Sequence, residues 1–234
     1  MEFFQSANQR EFDLPWNNAY RLSPYEREAV AHSIQQFHLG EGSEGRHFLR
    51  AGRTLRDPYF VPALYCFIQQ EQRHSACLGR FMEQQGIPHL RRHWVDQIFR
   101  GVRKLAGLRT MVTVLVTAEI IAVPYYRALR QATASPLLRA LCTEILREEA
   151  THLEFQADTL HRLGCPPAFR QLHRAMLRAA CALVWREHRS VFAAAHYNWA
   201  QFWHEAEQEL EAFHHCIAHV PPVMPQLADA LRRG

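Results

Sequence analysis

The sequence lacks the features of membrane-spanning and secreted chains. Its longest apolar stretch, residues 111–123, contains Glu119 and is shorter than the roughly 20 residues that a helix needs to cross a bilayer. The first residues do not combine a basic segment with an apolar one, as a signal peptide would. We therefore expect a soluble, cytoplasmic protein with no membrane partner.

Closely spaced cysteines are also missing, although the chain has six cysteines. No two of them form a Cys-x-x-Cys pair, which argues against a zinc ribbon and against a four-cysteine iron site. In a chain without a secretory leader, we expect reduced thiols that lie buried in helices.

A strong charge of one sign is absent as well. The net charge is +4 with histidine neutral, which is too weak and too dispersed to indicate a nucleic-acid partner. The length of 234 residues suits one domain, residues 1–234, with a substantial core.

Helix-capping residues and a hydrophobic periodicity typical of helices occur along the chain. No window has the alternating pattern, with a period of two residues, that marks a strand. Ser23, Pro24 and Glu26 form the N-cap, first-turn proline and capping-box glutamate of a first helix. The predicted helices span about 23–56, 57–86, a third that follows a shorter segment at 90–105 and ends near 132, 135–164, 168–197 and 199–219. The fold class is therefore all-α.

Each of the first four long helices carries a carboxylate in the middle of its apolar stripe. These carboxylates are Glu41, Glu71, Glu119 and Glu149, placed at 100° per residue. His74 and His152 follow Glu71 and Glu149 by three residues, so each shares a helical face with its glutamate.

Four carboxylates in one core are costly unless they are paired or bound to metal. Two Glu-x-x-His helices and two single-glutamate helices supply the ligand set of two-metal carboxylate bundles. The spacing repeats, because Glu41 precedes Glu71 by 30 residues and Glu119 precedes Glu149 by 30 residues. Two helical hairpins related by a pseudo-twofold axis would require this repeated spacing.

With these motifs, residues 23–163 resemble the ferritin-like di-iron carboxylate superfamily. Glu71-Gln72-Arg73-His74 has the Glu-x-Arg-His form common in its oxygenase and reductase members, and Glu149-Ala150-Thr151-His152 is the second motif. Many relatives have an aspartate just before the motif glutamate, where this chain has Gln70 and Glu148.

The resemblance implies a ferritin-like four-helix bundle, residues 23–163, with two additional C-terminal helices at about 168–219. It implies two iron ions, or manganese or a mixed pair, held by six ligands: Glu41, Glu71, His74, Glu119, Glu149 and His152. The implied partners are dioxygen, a small organic substrate and an external electron donor; a homodimer is compatible.

Three functions remain open at this point. The first is an oxygenase or oxidase of a small organic substrate. The second is a rubrerythrin-like peroxidase or a ferroxidase, and the third is a non-enzymatic helical scaffold with a vestigial metal site.

Several other residues have either a functional or a structural interpretation. Tyr126 shares the face of Glu119 and is either a catalytic residue or a core tyrosine. Glu44 and His47 form another Glu-x-x-His pair near the edge of the first stripe, and a metal role for either stays open. For Glu211 and His214, a fourth such pair, we expect a solvated face.

The glycines that flank Glu41 also have two explanations. Gly40, Gly42 and Gly45 provide either close helix packing or space beside the metals. Pro124, one turn after Glu119, introduces either a local opening or simple curvature in its helix.

Overall fold

The computed structural model describes residues 12–42, 45–55, 57–90 and 107–219, and all regular secondary structure in these ranges is helical. The predicted all-α class is confirmed on that part of the chain. The shorter segment predicted at 90–105 lies outside the described residues except for Leu90, which is not helical.

The first helix begins where the sequence predicts but ends earlier. Helix α1 spans Pro24–Glu41, with Ser23 Oγ accepting from the Glu26 amide and Glu26 accepting from the Ser23 amide. The prediction of one helix from 23 to 56 is wrong, because α2 spans Arg46–Gly52 as a separate element followed by a 3₁₀ turn at Arg53–Leu55.

Gly45 explains the break between α1 and α2. Its φ is +61°, in the left-handed region that side chains disfavour. A Cβ atom at this position would lie 2.3 Å from Ile68 Cδ1. The close-packing explanation therefore holds for Gly45, whereas Gly40 has no neighbouring atom within 4 Å of an added Cβ.

The long core helices are α3 (Phe60–Gln85), α4 (Leu108–Gln131) and α5 (Pro136–Leu163). Helix α1 packs against α3 and α4 packs against α5, while α3 also contacts α5. Aromatic side chains connect the two pairs, since Phe37 of α1 stacks on Tyr125 of α4 at 3.6 Å between ring centroids. Pro124 is buried within α4, which continues through it.

The C-terminal part adds α6 (Phe169–Glu187), α7 (Arg189–Ala194) and α8 (Trp199–His219). The predicted helix at 168–197 is wrong in its length, because it is interrupted at His188. The interruption turns α7 back onto α1, where Ser190 Oγ donates to the Ala29 carbonyl and His188 Nδ1 lies 2.8 Å from Ser33 Oγ. Helices α6 and α8 pack against α4, and α8 also against α5.

Helix α4 contains a long apolar stretch. Among the described helices it alone is long and apolar enough to cross a membrane by length and composition, but 67% of its most apolar window is buried inside the protein. A helix covered by its neighbours to this extent is typical of a hydrophobic core.

Candidate metal centre

The four stripe carboxylates lie in one interior region between α1, α3, α4 and α5. Glu149 is fully buried, and Glu41 and Glu119 are nearly so, while the Glu71 side chain keeps 16% of its exposure. One atom from each of Glu71, Glu119, Glu149 and His152 lies within 4.8 Å of the others, and the same holds for Glu41, His74 and Glu149. The structure thus brings together all six predicted ligands.

His74 aims its Nδ1 atom at three of these carboxylates. Nδ1 lies 3.8 Å from Glu41 Oε2, 3.8 Å from Glu71 Oε1 and 3.9 Å from Glu149 Oε1. These distances exceed a hydrogen bond, and they leave room for an ion between the atoms.

His152 has the corresponding surroundings. Its Nδ1 atom lies 3.2 Å from Glu71 Oε1, 3.7 Å from Glu119 Oε2 and 3.6 Å from Glu149 Oε2. Glu71 and Glu149 therefore stand between the two imidazoles, with one Glu149 oxygen facing each, whereas Glu41 and Glu119 each face a single imidazole. Glu71 and Glu149 are thus shared between the two imidazoles, and Glu41 and Glu119 are the terminal carboxylates of the cluster.

Five buried atoms at the centre of the cluster make no hydrogen bond. They are Glu71 Oε1, both Glu149 carboxylate oxygens, His74 Nδ1 and His152 Nδ1. Buried polar atoms without partners cost roughly 1–3 kcal/mol each, so a cluster of five is unusual in a folded core. Oxygen and imidazole donors of this kind fit divalent iron or manganese.

Burial and mutual repulsion control protonation of the metal-free carboxylates. Burial, followed by the charges of Glu119 and Glu41, raises the pKa of Glu71 well above its ordinary value. Burial and Glu119 raise the pKa of Glu149 in the same way. Burial opposes ionisation of Glu119 too, but the neighbouring Glu149 carboxyl and the His152 imidazole lower the pKa of Glu119 to about 2. Burial and the neighbouring carboxylates therefore favour the protonated forms of Glu71 and Glu149.

Burial would lower the pKa of His74, but a hydrogen bond to Glu148 and the nearby Glu41 carboxylate raise it to about 9. His74 Nε2 donates to Glu148 Oε2 at 2.9 Å, and Arg73 forms an ion pair with the other Glu148 oxygen. Burial also opposes ionisation of Glu148, yet the hydrogen bond from His74 lowers the pKa of that carboxyl.

The second imidazole is held by an amide instead. His152 Nε2 donates to Gln70 Oε1 at 2.9 Å. When both imidazoles are neutral and each donates from Nε2, each Nδ1 presents a lone pair to the cluster. Gln70 and Glu148 thus occupy the positions before the two motif glutamates, and each supports the histidine of the opposite helix.

Two further residues hold the terminal carboxylates. The Tyr126 hydroxyl donates to Glu41 Oε1 at 2.8 Å, and Gln156 Nε2 donates to Glu119 Oε1 at 3.3 Å. Tyr126 therefore positions Glu41, and its catalytic role stays a prediction. The sequence reasoning missed Gln156, although its position one turn after His152 on α5 was a signal that could have found it.

The other two Glu-x-x-His pairs are Glu44 with His47 and Glu211 with His214. Glu44 lies outside the described residues, and His47 is exposed on α2. Glu211 is exposed and pairs with Arg170. The expected solvated face is wrong for His214, which is buried against Phe169 and His173.

The part of the chain that the structure describes is therefore an all-helical protein with a buried carboxylate–histidine cluster that could hold metal. Comparison with protein-family models, with curated proteins and with solved structures finds no match.

Proposed function

We propose that this protein is a ferritin-like di-iron carboxylate oxidoreductase that activates dioxygen and oxidises a small organic substrate. The observation that carries the proposal is the group of five buried, unpartnered oxygen and nitrogen atoms that face one another from α3 and α5. Iron is the metal that the resemblance favours, and manganese fits the same donors.

Charge balance supports two metal ions. Glu41, Glu71, Glu119 and Glu149 carry up to four negative charges, while Arg73 compensates the nearby Glu148. Two divalent cations match the four charges, and each would find an imidazole nitrogen as well. One cation would leave two buried negative charges to be neutralised by protons.

The repeated hairpins support the ferritin-like architecture. Glu41 and the Glu71–His74 motif lie on α1 and α3, and Glu119 and the Glu149–His152 motif lie on α4 and α5. The hydrogen bonds of the two histidines cross between the hairpins, from α3 to α5 and back. A two-metal site between two related hairpins accounts for both features.

The residues have distinct roles in this centre. Glu41, Glu71, Glu119 and Glu149 would hold the metals together with the two histidines, with Glu71 and Glu149 facing both imidazoles and Glu41 and Glu119 facing one each. Bound ferrous ions supply the electrons that reduce dioxygen. The Tyr126 hydroxyl oxygen lies 2.8 Å from Glu41 Oε1 and holds its proton between the two atoms, and the apolar core excludes bulk water from the reaction. An external electron donor would return the metals to the ferrous state.

The first experiment measures metal content. Metal-free protein loaded with ferrous iron under anaerobic conditions should bind about two irons per chain, and Mössbauer spectra after exposure to air should show a coupled pair. Protein that binds no iron and no manganese would contradict the proposal and favour the scaffold.

The second experiment separates the enzyme classes. Dioxygen consumption by the reduced protein should rise, with product formed, for at least one member of a panel of aldehydes, amines and fatty acids. Repeated turnover of ferrous iron or peroxide, with no effect of any organic compound, would instead identify a ferroxidase or peroxidase.

A further inference from the structure

The two imidazoles of the cluster have similar surroundings but differ in the acceptor of their Nε2 hydrogen bond. His74 and His152 are both fully buried, both present Nδ1 to the shared carboxylates and both donate from Nε2 at 2.9 Å. The acceptor is the Glu148 carboxylate for His74 and the neutral Gln70 amide for His152.

The terminal carboxylates do not offset this difference. Glu41 receives a hydrogen bond from the Tyr126 hydroxyl, and Glu119 receives one from the Gln156 amide. Both donors are neutral. Among the described residues that bond to the six candidate ligands, Glu148 is therefore the one whose charge distinguishes the two halves.

Each oxygen of the Glu148 carboxylate has its own partner. Oε1 pairs with Arg73, which leaves Oε2 for His74. A carboxylate that accepts from one imidazole nitrogen makes the other nitrogen a stronger metal donor than an amide does. Gln70 fixes the orientation of His152 without adding charge.

We propose that the two metal positions are inequivalent, and that the position at His74 fills first and more tightly than the position at His152. This inference rests on the proposed two-metal function. It identifies Glu148 and Gln70 as positioning residues that set the order of loading.

Cobaltous ion is a suitable probe, because its visible absorption reports each binding event without turnover. Titration of the metal-free full-length protein should show two steps whose dissociation constants differ by about 10- to 100-fold, the usual effect of an outer hydrogen-bond partner. His74→Ala should keep only the weaker step and His152→Ala only the tighter one.

Substitution of Glu148 tests its role directly, and substitution of Glu154 is the matched control. Glu148→Gln should weaken the tighter step by about 10- to 100-fold and bring the two steps together. Glu154→Gln removes the same charge from an exposed position of α5 and should leave both steps unchanged. Circular dichroism of each variant verifies that the helices remain.

Three outcomes are distinguishable. Two equal steps in the unmodified protein, or a tighter step that survives His74→Ala, would overturn the inference while leaving the two-metal centre in place. Unchanged steps in a folded Glu148→Gln variant would also overturn it. Absence of any cobalt binding by the unmodified protein would overturn the proposed function itself.

Discussion

At the scale of single residues, the position of Glu41 disfavours the ionised form of its carboxylate. It is the last residue of α1 and is buried, so its carboxylate lies at the negative end of the helix dipole. The Tyr126 hydroxyl stabilises one of its oxygens. A cation shared with His74 and Glu149 would offset both the dipole and the burial.

Glu41 and Glu44 provide a direct test at this scale. If the proposed two-iron site is correct, Glu41→Ala should lower iron binding from about two ions per chain to one or fewer, because it removes a proposed ligand beside His74. Glu44→Ala should retain most of the iron. Elemental analysis after removal of loosely bound metal measures both; the reverse result would make Glu44 the contribution of this segment.

At the scale of elements, the connection between α1 and α2 places Glu41 at a helix end. Gly45 allows this connection, because it has a positive φ and lies against Ile68. Gly40 in the last turn of α1 has neither property. Two glycines five residues apart thus have different physical roles.

Gly45→Ala should lower the free energy of unfolding by about 2 to 4 kcal/mol, through left-handed strain and overpacking. Gly40→Ala should change it little, or raise it by up to about 1 kcal/mol, because alanine favours the helix. Urea denaturation monitored by circular dichroism gives both values. Equal effects of the two substitutions would contradict the assigned role of Gly45.

A second connection joins the start of α1 to the loop between α4 and α5. Glu26 accepts from the amides of Ser23 and Ala134, from the Thr133 hydroxyl and from the Tyr20 hydroxyl. Burial opposes ionisation of Glu26, but the hydrogen bond from Ala134 and the others lower its pKa from 4.5 to about 2. The carboxylate therefore links the two hairpins at one end.

The contribution of Glu26 to the free energy of unfolding should depend on pH. Because the pKa of Glu26 is lower in the folded chain, its contribution is complete above pH 4.5 and is lost as the pH falls towards 2. Glu26→Gln should destabilise the protein by about 2 kcal/mol at pH 7, and the difference should shrink between pH 4.5 and 2. Denaturation of both proteins over this range measures it, with exposed Glu28→Gln as a control of equal charge.

At the scale of the whole molecule, the cluster joins α1, α3, α4 and α5 through four carboxylates that repel one another when they are ionised. Metal binding should therefore stabilise the entire fold. At a free metal concentration 100 times the dissociation constant, the gain is about 2.7 kcal/mol. Ferrous or manganous ion should raise the melting temperature, and a chelator should reverse the increase.

Glu149→Gln provides the matching control for this prediction. Its melting temperature should be nearly independent of added metal, because the proposed site loses the carboxylate that faces both imidazoles. A rise in melting temperature equal to that of the unmodified protein would show that the stabilising metal binds elsewhere.

The sequence predicted the helical class, most helix starts and the six side chains that meet in the core. These features follow from local patterns, since capping residues and a period of 3.6 act within one element. The assignment of the six residues as ligands stays a prediction, as does the ferritin-like family.

Tertiary packing alone decided the remaining features. The break at Gly45 depends on Ile68, the turn at His188 on Ser33 and the burial of His214 on Phe169. The pairing of His74 with Glu148 and of His152 with Gln70 joins residues of different hairpins. No local pattern records such contacts, because they arise only when distant helices meet and each buried polar group must find a partner.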